Sequence, residues 1–219
     1  VKFILNGQVV KGLVSMNTVV HPEFQGRQLF KKLGLQMCDY AASLGYHFII
    51  GVANAASTHG FVKHMGFQLV SPLETKIGIG NLGIKNYDTV QQMSKFKHLW
   101  NTDTLLWRAK NPANPIYFDT NPDRLTGYAS AGKFGFFAVA ELPLINGFTP
   151  EVAISRFKVL MPRVFIGLIP SHKFGFNYIN IPEKLKPSPL NFIFKSLTDE
   201  SLKLDKESCF INFLDFDAF

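Results

Sequence analysis

The segment from residue 15 to residue 67 constrains this chain's fold more than any other. It holds an apolar strand pattern, a tight turn at Gln25-Gly26-Arg27-Gln28 and a long amphipathic helical pattern. A second apolar strand follows, then a short helix closing on Gly66-Phe67. Where such a turn enters a helix, the first backbone N–H groups lack partners and the helix dipole favours an anion. A phosphate is the expected occupant.

Local signals place the neighbouring elements. Asn6-Gly7 predicts a hairpin between residues 1–5 and 9–20, and His21-Pro22 ends its second strand because proline cannot donate to a ladder. Between residues 28 and 44, Leu29, Leu33, Met37, Ala41 and Leu44 recur at helical spacing and predict the buried face. Gly45 stops that helix. Residues 47–52 read as a short buried strand, Ser57 as the cap of the next helix, and residues 67–70 as a further strand.

After Gly83 the pattern predicts helices at residues 87–100, 104–108 and 150–160. It predicts strands at residues 127–131, 134–142, 164–169, 190–194 and 209–216. Helices and strands alternate throughout, so the fold class is α/β (α+β) with a mixed sheet. The change of character at residue 83 divides the chain into modules 1–83 and 84–219.

Composition narrows the partners. A net charge of +7 fits an anionic partner, yet the lysines and arginines are scattered and no nucleic-acid module is legible. Hydrophobic residues make up 47% of the chain and 22 of its 219 residues are phenylalanine, which argues for a substantial core and an apolar groove or interface. Cys38 and Cys209 neither require nor exclude a disulfide, and the plain reading is buried free thiols in a reducing cytoplasm. No run reaches the length of a membrane span, and no histidine pair or cysteine cluster has metal-ligand spacing. Residues 78–83 satisfy G-x-G-x-x-G, but the next helical pattern starts only near Asp88, too late for a dinucleotide fingerprint. The chain opens without methionine inside a strand pattern, and earlier residues are expected to have been removed.

The string Val19-Val20-His21-Pro22-Glu23-Phe24-Gln25-Gly26-Arg27-Gln28-Leu29-Phe30 resembles the phosphate turn of the GNAT superfamily of acetyl-CoA-dependent N-acyltransferases. That family's turn runs Gln or Arg, two residues, Gly, one residue, then Gly or Ala. Gln25 and Gly26 match, whereas Gln28 and Phe30 stand where glycine and a small residue are usual. Asn54, Ser57, Lys63, Gly66 and Phe67 reproduce the family's N-x-x-S…K-x-x-G-F segment. The resemblance covers residues 9–70.

It implies a GNAT-like mixed twisted sheet flanked by helices, with acetyl-CoA (or another acyl-CoA) as co-substrate. The acceptor it implies is a primary amine of a small molecule, amino sugars and cell-surface precursors among the possibilities, attacked directly in a ternary complex. Thr18, Val19, Val20, the turn residues Gln25, Gly26, Arg27, Gln28, Leu29 and Phe30, and Asn54 with Ser57 would hold the cofactor. The strand at residues 13–20 would splay from its neighbour to admit the pantetheine arm.

For catalysis the family usually places a tyrosine acid where this chain has Val62, beside Phe61. Ser57, His59 or His64 could replace it, the thiolate could leave unaided, or the site could bind CoA without chemistry. Ser15 and Asn17 share a strand face and could hold a water, while Asp215 and Asp217 would share a face of an extended final segment and act as base. The second module loosely resembles another GNAT-like unit without a cofactor motif. It would form the substrate wall with Trp107, Arg108, Tyr117 and the last aspartates. The alternative is a non-catalytic acyl-CoA-binding or protein-interaction module.

Overall fold

The computed structural model describes residues 1–84, 86–131, 135–149, 161–170, 178–182, 184, 186 and 188–216. The expected helix at 150–160 lies outside these residues. Among the described residues, thirteen strands form one mixed sheet system with helices against it, the α/β class expected.

Strands β1 (Lys2–Leu5) and β2 (Gln8–Ser15) form the antiparallel hairpin. Asn6 (φ 51°) and Gly7 (φ 82°) both take the left-handed conformation that a tight hairpin turn needs. β2 stops at Ser15 rather than at residue 20. Asn17, with φ 51°, leaves the β region and breaks the ladder there.

Helix α1 (Leu29–Ser43) then crosses to β3 (Phe48–Ala53), which runs parallel to β2 from Gly12↔Phe48 to Ser15↔Gly51. The buried face of α1 matches the expected one only at Ala41 and, in part, at Leu29. Cys38 and Ala41 are buried, whereas Leu33, Met37, Tyr40 and Leu44 are exposed. The helix packs instead through Phe30, Leu35, Cys38 and Ala41. Close approach explains the rotation. A Cβ on Gly34 would lie 2.2 Å from Met65 Sδ, and one on Gly60 would lie 2.8 Å from Phe30 Cε1. Small residues at the contact carry almost no signal in a hydrophobic pattern.

Helix α2 (Ala55–His59) continues into a wide π-type turn (Gly60–His64), and β4 (Gln68–Pro72) and β5 (Glu74–Gly78) follow. α3 (Tyr87–Met93) is shorter than expected. Ser94 leaves helical geometry at ψ 98°, and Phe96 is drawn into β6 (Phe96–His98), which pairs with β1. α4 (Thr102–Ala109) opens with a capping box between Asn101 and Thr104. β7 (Tyr117–Asn121), β8 (Arg124–Ser130) and β9 (Phe137–Leu142) form an antiparallel meander. β10 (Arg163–Leu168), β11 (Tyr178–Asn180), β12 (Asn191–Ser196) and β13 (Cys209–Asn212) complete the chain.

The strand order β4-β12-β3-β2-β1-β6-β13-β10-β9-β8-β7 interlocks the halves on either side of residue 83. β12 inserts antiparallel between β3 and β4, while β5 pairs antiparallel with both β10 and β11. Each half thus shows a parallel pair (β2 with β3, β9 with β10) extended by a strand from the other half. The core lies along this seam. Phe3, Phe48, Phe96, Phe192 and Phe194 are at most 1% exposed and meet ring to ring, with Phe3 and Phe48 centroids 5.1 Å apart. Burying one such ring contributes roughly 1.5–3 kcal/mol, and edge-on pairing adds about 0.5–1.5 kcal/mol.

Both cysteines are buried and free. Burial, then the charge of Asp205, pushes the Cys209 thiol up to about 12, and burial raises Cys38 as well. Both thiols should therefore resist an aromatic disulfide reagent at pH 8 in the native protein and react at once in denaturant. A raised folded pKa also means that stability is complete below the unfolded thiol's pKa and declines as pH rises from there toward 12. Urea melts at pH 8 and pH 10.5 should show that loss.

Candidate functional site

Parallel pairing of β2 with β3 ends at Ser15↔Gly51. Past that point a cleft of about 300 Å³ opens between the strands, lined by Ser15, Asn17, Thr18, Gly51, Val52, Asn54, Ser57, Phe61, Leu190 and Ile193. Its floor comes partly from β12, so the far half of the chain helps to build it. Five expected site residues from separate segments meet here: Ser15, Asn17, Thr18, Asn54 and Ser57.

Polar contacts among them set the geometry. Ser15 Oγ and Thr18 Oγ1 lie 3.2 Å apart. The cap of α2 is Asn54, not Ser57. Asn54 Oδ1 accepts from Ser57 N–H at 2.9 Å and from Ser57 Oγ at 3.0 Å. Thr58 Oγ1 donates to Asn54 O at 2.7 Å and accepts from Asn191 Nδ2 at 2.9 Å, tying the cap to β12. Phe61 reaches the cleft from the π-type turn and packs edge-on against Phe30 and Phe67, both at 5.1 Å. Val62 is half-buried. His59 and His64 are exposed, 5.2 Å apart ring to ring, and lie outside the cleft lining.

The turn from Gln25 to Gln28 is solvent-exposed at the start of α1. Gly26 has φ 77°, and Gln28 precedes the helix with φ 57° and ψ 19°. Among the described residues, the N–H groups of Gly26, Arg27, Gln28, Leu29 and Phe30 find no protein acceptor. That is the geometry of an anion-binding helix start. Gln25 is used internally, its Nε2 donating to Val20 O at 3.1 Å, and Val19 is 84% exposed. Arg27 lies over the Phe24 ring with its guanidinium carbon 5.4 Å from the centroid.

Asp215 lies elsewhere and is not on an extended tail. Residues Phe213–Asp215 form a 3-10 turn capped by Asn212, which buries Asp215. Four backbone and side-chain groups meet there in a reciprocal cap: Asp215 Oδ2 accepts from Asn212 N–H at 2.8 Å, and Asn212 Oδ1 accepts from Leu214 N–H at 3.0 Å. Asp217 lies outside the described residues. Asp215 shares a second pocket of about 240 Å³ with Leu13, Met16, His98, Trp100, Trp107 and Arg108. Tyr117 belongs to neither cavity. His98, Trp100 and Met16 were not legible as site residues, since no spacing links them to Asp215.

No protein-family model and no curated protein sequence matches the chain. Solved structures do. The chain is similar to a GCN5-related N-acetyltransferase from Anabaena variabilis ATCC 29413, with a TM-score of 0.54 and 9% identity over 90% of this chain and 58% of that one. It is similar also to a GCN5-related N-acetyltransferase from Kribbella flavida, with a TM-score of 0.52 and 11% identity over 89% of this chain and 54% of that one. The fold is therefore GNAT-like, as the turn motif implies. The chain spans a little over half the length of those structures.

Among the described residues, no helix is long and apolar enough to cross a membrane. No group of His, Cys, Asp and Glu among them could hold a metal ion.

Proposed function

We propose that the chain is an acyl-CoA-dependent N-acyltransferase that moves an acetyl or other acyl group to a primary amine of a small molecule in a ternary complex. One observation carries the reading: an open cleft beyond the Ser15–Gly51 pair adjoins a chain segment that enters α1 with unpartnered N–H groups. The turn from Gly26 to Phe30 would hold the diphosphate. The unladdered backbone of Thr18 to Val20, with Asn54 and Ser57 opposite, would pair with the amides of the pantetheine arm, as an added strand would. Ser15 and Asn17 would orient water or the amine near the thioester. The reading implies a compartment that supplies acyl-CoA, the cytoplasm. The second half would be a GNAT-like unit that has lost its phosphate turn, supported by the recurrence of a parallel pair extended by a strand from the opposite half.

Phe61 in the cleft and Val62 beside it have no proton to give, which keeps a second reading, an acyl-CoA-binding module without chemistry. Thermal melts separate these from a plain turn. Acetyl-CoA at 100 times its dissociation constant should add about 2.7 kcal/mol and raise the melting temperature by about 5–10 °C, while NAD at the same concentration should not. Equal or absent shifts would refute the cofactor assignment. Release of free thiol with a panel of amines then decides between enzyme and binder.

A further inference from the structure

His98 carries more chemistry than its place in a three-residue strand suggests. Its side chain is 6% exposed and stacks between Phe3, at 4.9 Å, and Trp100, at 3.8 Å. Its Nδ1 lies 3.1 Å from Asp215 Oδ1. An ionised carboxylate only accepts, so Nδ1 carries a hydrogen, and in the neutral ring Nε2 is then the atom with the free lone pair. Nε2 is buried and finds no hydrogen-bond partner among the described residues. Leaving a buried polar atom unmet costs about 1–3 kcal/mol, and such an atom calls for an explanation.

The surroundings supply one. The pocket beside His98 and the cleft adjoin the same end of β2. Leu13, Val14 and Met16 line the pocket, and Ser15 and Asn17 line the cleft. Pairing of β2 with β3 stops at Ser15, so beyond it no ladder separates the two cavities. The pocket walls are Leu13, Met16, Trp100, Trp107 and Leu214, and Trp107 is 72% exposed at its mouth.

We propose that this pocket receives the acceptor amine and that His98 takes the amine's proton through Nε2, with Asp215 positioning the imidazole. The proposal rests on the acyl-CoA reading of the cleft. His98 Nε2 accepts one proton from the ammonium, freeing the nitrogen lone pair. That pair forms a C–N bond to the thioester carbonyl carbon while the C=O π pair moves to oxygen. When C=O re-forms, the C–S bond breaks and the thiolate leaves with its electrons, taking the second nitrogen-bound proton. His98 then returns its proton to solvent. An apolar or aromatic amine suits these walls, because an amino sugar would set its hydroxyls against Leu13, Met16 and Trp107 without partners.

The charged groups around His98 are Asp215, Arg108 of α4, which donates to Phe216 O at 3.2 Å, and Lys97, which donates to Gln91 O. The test uses the whole chain, acetyl-CoA, 2-phenylethylamine and glucosamine. His98→Asn keeps a donor for Asp215 and removes the base. It should retain the acetyl-CoA melting shift and lose about 10²–10⁴-fold in kcat/KM at pH 7. The deficit should narrow as pH rises and solution supplies free amine. Asp215→Asn should also flatten the acidic limb of the profile while acetyl-CoA binding persists.

Should His98→Asn not fold, Met16→Trp fills the pocket mouth without touching the pair. It should raise KM for 2-phenylethylamine at least tenfold with the acetyl-CoA shift unchanged. Wild-type turnover matched by His98→Asn, or undisturbed by Met16→Trp, overturns the proposal, and so does a clear preference for glucosamine. A wild type that acetyl-CoA does not stabilise overturns the cofactor reading and this one with it.

Discussion

Glu141→Leu should cost the fold about 3–5 kcal/mol, because it removes the acceptor from a buried polar cluster and leaves its donors stranded. Glu141 is 1% exposed on β9. Its Oε1 accepts from Leu82 N–H at 2.8 Å, and its Oε2 accepts from Tyr87 O–H at 2.7 Å and Arg124 Nη1 at 3.1 Å. These bonds tie β9 to α3, to β8 and to the glycine loop after β5. Burial, reinforced by the Glu141 charge, holds the Tyr87 hydroxyl far above its usual range, so it stays a donor at any working pH. The Arg124 guanidinium is held charged chiefly by Asp123 and also faces Glu141.

Isosteric Glu141→Gln keeps one acceptor and should cost about 1–3 kcal/mol. Total stability of a domain is about 5–15 kcal/mol, so the leucine variant loses a large share of it. Urea unfolding with an unchanged slope measures both. A leucine variant within 1 kcal/mol of wild type would show that the cluster is dispensable. Arg163 pins the same glycine loop from below. Its Nη1 donates to Gly80 O at 2.7 Å beside Tyr178 O–H at 2.8 Å. The G-x-G-x-x-G string is thus a strapped loop, with α3 beginning only at Tyr87.

What local chemistry dictates was readable before the fold. Asn6-Gly7 demands the hairpin, the Gln25-to-Gln28 turn demands a helix start, and Asn54 to Phe67 assemble along one short stretch. What depends on distant partners was not. β12 reads as an ordinary apolar strand, and nothing local says that it inserts between β3 and β4. The burial of α1 through Cys38 and Ala41 follows from a close approach that Gly34 and Gly60 permit, and glycine adds nothing to a hydrophobic period. Residues 209–216 look extended by alternation. The Asn212 cap turns them at Phe213, and a histidine 117 positions away claims the Asp215 carboxylate.

Gly51→Leu should weaken acetyl-CoA binding more than about 100-fold while leaving the protein folded. Gly51 sits on β3 opposite Ser15, where the cleft begins. A Cβ there would meet Ser15 O at 3.2 Å, Ser15 Cβ at 3.4 Å and Ile193 Cδ1 at 3.6 Å. Alanine fits with a shift of a few tenths of an ångström and should weaken binding by about tenfold, roughly 1.4 kcal/mol. Gly51 lines the cleft, so a leucine side chain would extend into the space where the pantetheine amides would pair with Thr18 to Val20. It should weaken acetyl-CoA more than about 100-fold by isothermal titration, beyond 2.7 kcal/mol. Overpacking against Ile193 should cost about 1–3 kcal/mol of stability, visible in a melt without ligand. The graded pair matters because a misfolded variant and a blocked cleft both fail to bind, but only the blocked cleft fails with a cooperative melt. A Gly51→Leu protein that melts cooperatively and binds acetyl-CoA as the wild type does would move the cofactor out of the β2–β3 opening altogether.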